Sequence, residues 1–200
     1  MGRVSSRTIW GAGLWVLLAC PTDGFAQSAV PTFDPDAPLE SFHLLSEYLT
    51  RGSGRWRANN PGHDPADPRS PSHFELWFTS EAGGHLLELS IRADVSGEFR
   101  PSSKGYFAWD HESGTLRHVS VVVNGIYSAG VVEFVDSSTF RSTMVMTDSS
   151  GRGRGHRDDN VLISADRHDN VSFSQEDDGS WVASADSWSW VRVETEPGQT

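Results

Sequence analysis

Cysteine is all but missing from this chain: Cys20 stands alone among 200 residues, so no disulfide can form within it and the fold must rest on packing and hydrogen bonds. No apolar run reaches the about 20 residues a membrane-spanning helix needs, and the longest, residues 9–20, is broken at Pro21. Positive charge is scarce as well. Lysine and arginine number 16 against 27 aspartates and glutamates, a formal net charge of −11, and such a surface repels nucleic-acid phosphate and anionic membrane alike. The patterns G-x-S-x-G and H-E-x-x-H are absent, and no cysteine beyond residue 26 is available as a nucleophile. Long helical periodicity is lacking too, which disfavours a parallel sheet with helical crossovers. What remains is an acidic chain, 36% hydrophobic and 10% aromatic, of a length suited to one domain around one core.

The first residues stand apart from the rest. Arg3 and Arg7 precede the apolar run, and Gly24-Phe25-Ala26 offers the small residues a signal peptidase accepts, so residues 1–26 read as a secretory signal and the mature protein as periplasmic or secreted. Leu17-Leu18-Ala19-Cys20 supports a second reading, a lipoprotein anchored through Cys20. Arg3 and Arg7 are not adjacent, so a twin-arginine route is not indicated.

Pro31, Pro35 and Pro38 punctuate residues 27–38, which lack periodicity and read as an extended tether to a single domain over residues 39–200. Leu39, Phe42, Leu45, Tyr48 and Leu49 then recur at three- and four-residue spacing, predicting a short amphipathic helix over 39–49 that Gly52 ends. A first strand follows through Trp56. The prolines at 61, 65, 68 and 71 make 59–72 a long loop able to act as a lid. Beyond it, alternation dominates. Phe74, Leu76 and Phe78 share one face, as do Leu87, Leu89 and Ile91, and as do Val119, Val121 and Val123, all expected to face the core. Asn124-Gly125 is the strongest hairpin turn. Further strands are read at 106–110, 126–135, 140–147, 160–166, 171–175 and 187–194. About ten short strands with turns at this spacing predict an all-β, up-and-down antiparallel barrel with one short N-terminal helix. Alternating strand directions puts the longer connections (59–72, 95–104, 148–159, 176–186) at an open end and the shorter ones at a closed end, where Arg192 meets Trp56.

Gly54-Arg55-Trp56 after a short helix, with Arg192 near the end of the last strand, resembles the calycin superfamily, in particular bacterial exported lipocalin-like barrels of uncharacterised function. The resemblance implies that Trp56 and Arg192 plug the closed end of the barrel. Nitrobindin-like haem barrels carry further glycines after their tryptophan. Here Arg57-Ala58-Asn59-Asn60 follows, so no haem or other cofactor is implied.

The residues that remain are those with chemistry to offer. Trp77, Trp188 and Trp190 are the aromatic contacts expected for an apolar or amphipathic ligand in the lumen, joined by His118, although core filling uses the same residue types. Trp188 and Trp190 share a parity that Val191 and Val193 oppose, which predicts burial on both sides or a bulge near Trp190. Glu75, Glu88, Arg92 and His118 fall on polar faces. Were those faces turned inward they would form an acid–base cluster, with His118 as general base and Glu75 or Arg92 placing charge; the apolar opposite faces predict instead that they meet solvent. His63, Asp64 and Asp67 with His156, Asp158 and Asp159 lack the spacing of a metal motif, and no metal is expected. Gly151 to Gly155, alternating with arginine, has the context of a hairpin rather than a phosphate loop, and Asn170-Val171-Ser172 is a glycosylation acceptor on paper only. Three functions therefore stand side by side: a barrel holding a small apolar or amphipathic molecule, a barrel enzyme, and a solid barrel acting as an envelope interaction module.

Overall fold

Pro38 opens helix α1 (Pro38–Thr50) at a position whose amide would have no intrahelical partner, so the missing N–H costs nothing there. Phe42, Leu45 and Leu49 fall on one stripe and are fully buried, each contributing on the order of 2 kcal/mol of apolar burial. That stripe plugs one end of a barrel. The computed structural model describes residues 29–194; the leader read in residues 1–26, with Cys20, lies outside them.

Ten strands follow the helix: β1 (Arg55–Asn59), β2 (His73–Glu81), β3 (Leu86–Val95), β4 (Glu98–Asp110), β5 (Thr115–Val122), β6 (Tyr127–Phe134), β7 (Thr139–Thr147), β8 (Gly153–Ser164), β9 (Arg167–Gln175) and β10 (Trp181–Arg192). Each pairs antiparallel with the next, and β10 closes on β1 with Trp56 opposite Arg192. The expected up-and-down barrel is therefore what forms. Gly54 starts it in a backbone conformation (φ +64°) that side chains rarely adopt, and a β-carbon there would lie 2.5 Å from the Phe78 carbonyl oxygen. At this junction the Phe78 amide donates to the Gly54 carbonyl at 2.8 Å.

The ends differ from the sequence expectation in one respect. Strands β4, β8 and β10 run much further toward the open end than alternation suggested, so the connections read at 95–104, 148–159 and 176–186 shrink to tight turns, and only 60–72 remains long. In β4 the misleading residue is Pro101. The register with β3 slips between Ile91 and Arg92, leaving Ser102 as an extra residue, and such a bulge tolerates a proline without an amide to donate. In β10 the bulge lies between Ala183 and Ser187, not near Trp190, and Val191 is half exposed on the outer wall.

The face assignment of β5 is also corrected. Val119, Val121 and Val123 point outward, Val123 with 71% exposure, while Leu116, His118, Ser120 and Val122 point inward. Tyr106 and Tyr127 stand opposite Val119 and Val121 on the same outer face, so cross-strand packing of β-branched and aromatic side chains takes place outside the barrel here. Within the stretch read as tether, Phe33 is docked: it is buried with its ring centroid 4.8 Å from that of Phe134, and its amide donates to the Ser137 carbonyl.

Candidate functional site in the barrel lumen

Side chains that point inward leave a cavity of about 350 Å³ above the plug. Its floor is made by His168, whose ring lies edge-on to Trp56 at 4.7 Å and stacks near Trp190. One arc of the wall, from β10 round to β4, is apolar but for Ser102 and Ser103: Trp188, Trp190, Phe74, Leu76, Ile91 and Phe107 line it. The other arc, β5 to β9, carries nearly all the polar groups. Its upper part presents Ser120, Ser128 and His156, and its middle part His118, Ser142, Asp158, Asn160 and Asn170. Val122, Phe140, Met144 and Met146 interrupt it, but most of the polar groups gather on this side.

Within the polar arc the groups are tied to one another. The Ser120 and Ser128 hydroxyls lie 2.5 Å apart. The Asp158 carboxylate accepts from Ser172 at 2.5 Å and lies 3.2 Å from His156 Nε2, and the Asn170 amide donates to Asn160 at 3.3 Å. Burial works against the charge on Asp158, yet the hydrogen bonds from His156, Ser172 and Asn170 outweigh it and hold the carboxyl below its ordinary range. The same pair raises His156, chiefly through its bond to Asp158. His118 and His168 behave oppositely: burial pushes them down to about 4 and about 3, so both imidazoles are neutral.

His118 reaches Ser142 across an intervening strand. Gly130 on the intervening strand β6 stands opposite His118 in register, and His118 Nδ1 lies 2.7 Å from Ser142 Oγ on β7. The other ring nitrogen, Nε2, is out of solvent and has no hydrogen-bond partner among the described residues.

Of the expected contacts, Trp188, Trp190 and His118 line the cavity together, whereas Trp77 is outside the barrel, 37% exposed. Its parity on β2 is that of Glu75, and the guanidinium carbons of Arg55 and Arg92 each lie 4.8 Å from its ring centroid. Glu75 lies beneath this outer layer with 1% exposure, accepting hydrogen bonds from Arg55, Arg57 and Trp77. Glu88 pairs with Lys104 on the same outer wall. The acid–base cluster therefore does not assemble: Glu75, Glu88 and Arg92 lie on one side of the sheet and His118 on the other.

Residues 60–72 contribute nothing to the cavity wall; the loop leans on the β3–β4 turn, where Ser96 donates to the Pro68 carbonyl. His156, Asp158 and Asp159 belong to β8 rather than to a rim loop, and among the described residues no group of three His, Cys, Asp or Glu side chains is placed to hold a metal ion. Asn170 faces the lumen and is buried, beyond the reach of a glycosylating enzyme. The polar arc itself has a trace in the sequence that the strand reading passed over: His156-x-Asp158-x-Asn160 and His168-x-Asn170-x-Ser172 are two period-two polar runs, each the inward face of one strand.

No family model matches this chain, and no characterised protein sequence matches it either. Among the described residues no helix is long and apolar enough to cross a membrane.

Proposed function

We propose that this protein is an exported, calycin-like barrel that binds a small apolar or amphipathic molecule in its lumen. The observation that carries the reading is the two-sided cavity of about 350 Å³, within the about 300–1,000 Å³ typical of small-molecule sites. A barrel filled by its own side chains would leave no such volume, which weighs against the solid interaction module. The division of the wall suits an amphipath: an apolar body against Phe74, Trp188 and Trp190, and a polar end against the arc that bears His118. The basic, then apolar, then small-residue order of residues 1–26 supports export, with lipid attachment at Cys20 as the other way of reaching the same compartment.

The test is titration of the purified protein with phenylnaphthylamine, an uncharged dye whose emission rises in a dry apolar site. Saturable binding at one site per chain, competed by smaller amphipaths, is expected. Absence of saturable binding across the dye and a panel of lipids, quinones and aromatic compounds overturns the reading.

A further inference from the structure

The lumen has a charge inventory that narrows its ligand. Among the described residues no lysine or arginine lines the cavity, and the Asp158 carboxylate there is already paired with His156. The two other histidines in the wall, His118 and His168, are kept neutral by burial. An anionic head would thus find no free cation and would face the Asp158 carboxylate, and burying a charge without a partner is costly. A neutral head has the opposite prospect. His118 is 7% exposed and its Nε2 is left without a partner among the described residues, a state that costs free energy until something fills it.

The bond to Ser142 makes that nitrogen adaptable. Where the serine hydroxyl donates to Nδ1, the ring proton sits on Nε2 and can be donated to a carbonyl; where Nδ1 donates to the serine, Nε2 accepts from a hydroxyl. No other hydrogen bond of the Ser142 side chain competes with either arrangement among the described residues.

We infer that the lumen selects uncharged amphipaths whose polar end is a hydroxyl or a carbonyl, held at the His118–Ser142 pair, and that it rejects carboxylates of the same chain length. This rests on the ligand-binding reading above and specifies its head group.

Displacement of bound phenylnaphthylamine at neutral pH by decanol, methyl decanoate and decanoate tests it. Decanol and methyl decanoate are expected to displace the dye at concentrations about ten-fold or more below that of decanoate. His118→Leu should weaken decanol about ten-fold more than it weakens the dye, and His118→Gln should restore part of that difference. Continued dye binding shows that the variant is folded. If His118→Leu no longer binds dye, Ser142→Ala takes its place, with a loss of several-fold for decanol expected.

Dye that binds but is displaced equally well by decanoate, or by none of the three, overturns the head-group inference and leaves the binding reading standing. So does decanol affinity that is indifferent to the histidine and serine variants. A protein that binds neither dye nor any of the three removes both.

Discussion

The Arg192 guanidinium lies over the Trp56 indole, 4.0 Å from its ring centroid, with the two residues directly opposite one another in the β1–β10 ladder. The contact joins the first strand to the last and both to the helix. Arg192 donates to the carbonyls of Arg51 (2.6 Å) and Tyr48 (2.7 Å) at the C-terminal end of α1, and to Ala165 in the β8–β9 turn, while Trp56 Nε1 donates to Leu49. One cation thus ties carbonyls at the helix end and in the β8–β9 turn to the closing strand.

Arg192→Ala should therefore destabilise the barrel by about 3 kcal/mol, since it removes several charge-assisted hydrogen bonds and the stacking partner of a fully buried indole. Arg192→Lys keeps the charge but not the planar fork and should recover less than half. Urea unfolding midpoints measure both; an alanine variant as stable as the parent would show that the plug is ornamental to the fold.

On the outer wall, Glu75 holds together a layer of Arg55, Arg57 and Trp77. Burial opposes its charge, but the hydrogen bonds from Arg57, Arg55 and Trp77 prevail and keep the carboxyl below its ordinary value. A depressed folded-state pKa stabilises the protein above the unfolded value of about 4.5, and that contribution is lost as pH falls through the lower folded value. Glu75→Gln should cost about 2 kcal/mol at neutral pH, moderated because both arginines are partly exposed and can turn to water. The deficit should shrink below pH 4. Unfolding curves at pH 7 and pH 3.5 give the comparison.

His168 supplies the contrary case, an ionisable group that is stable only uncharged. Its ring is enclosed by Tyr48, Trp56 and Trp190, and burial lowers it to about 3 from the ordinary 6.5. Above 6.5 neither state binds the proton and nothing is lost; below it the unfolded chain takes up a proton that the folded chain refuses, so stability falls with pH down to about 3. His168→Phe should flatten that fall by about 1 kcal/mol per pH unit between 6 and 4. The slope is the readout, because a packing change shifts the whole curve, and the titrations of His156, His118 and the carboxylates are common to both proteins. Parallel curves for the two would place the acid sensitivity elsewhere.

How far the fold was legible follows from where apolar alternation coincides with the core. In β2 and β3 it does: Phe74, Leu76, Phe78, Leu87 and Leu89 read as one face and form one, and the glycine, tryptophan and arginine of the closed end come together as their positions imply. In β8 and β9 the inward face is largely polar, and in β5 it is mixed, because a lumen that is hollow and hydrogen-bonded does not need apolar residues throughout to fill it. There the valines of β5 misdirected the reading, and residues 153–159 looked like a loop because Gly153, Gly155, His156 and Asp158 carry no strand signature. The polar wall was obscured by the very feature that suits it to hold a ligand. The pairing of His118 on β5 with Ser142 on β7 spans β6 between them, a relation among three strands that spacing along the chain does not encode.

That division between inner and outer faces makes a prediction about the tryptophans. Trp188 lies in the cavity wall at the level of Asn170, edge-on to Phe74 with ring centroids 5.4 Å apart and stacked on Trp190 at 5.9 Å; Trp77 is on the opposite side of the sheet between two arginines. An apolar chain entering the lumen displaces water from Trp188 and leaves Trp77 as it was. Adding decanol should shift the indole emission of the parent protein to shorter wavelength, and Trp188→Phe should remove most of the shift while Trp77→Phe keeps it. Trp188→Leu should in addition lower decanol affinity about ten-fold, as expected when a large aromatic contact is lost from an enclosed site. A shift that survives in Trp188→Phe and disappears in Trp77→Phe would mean that the alcohol binds on the arginine-flanked outer wall, and the lumen would no longer be the site.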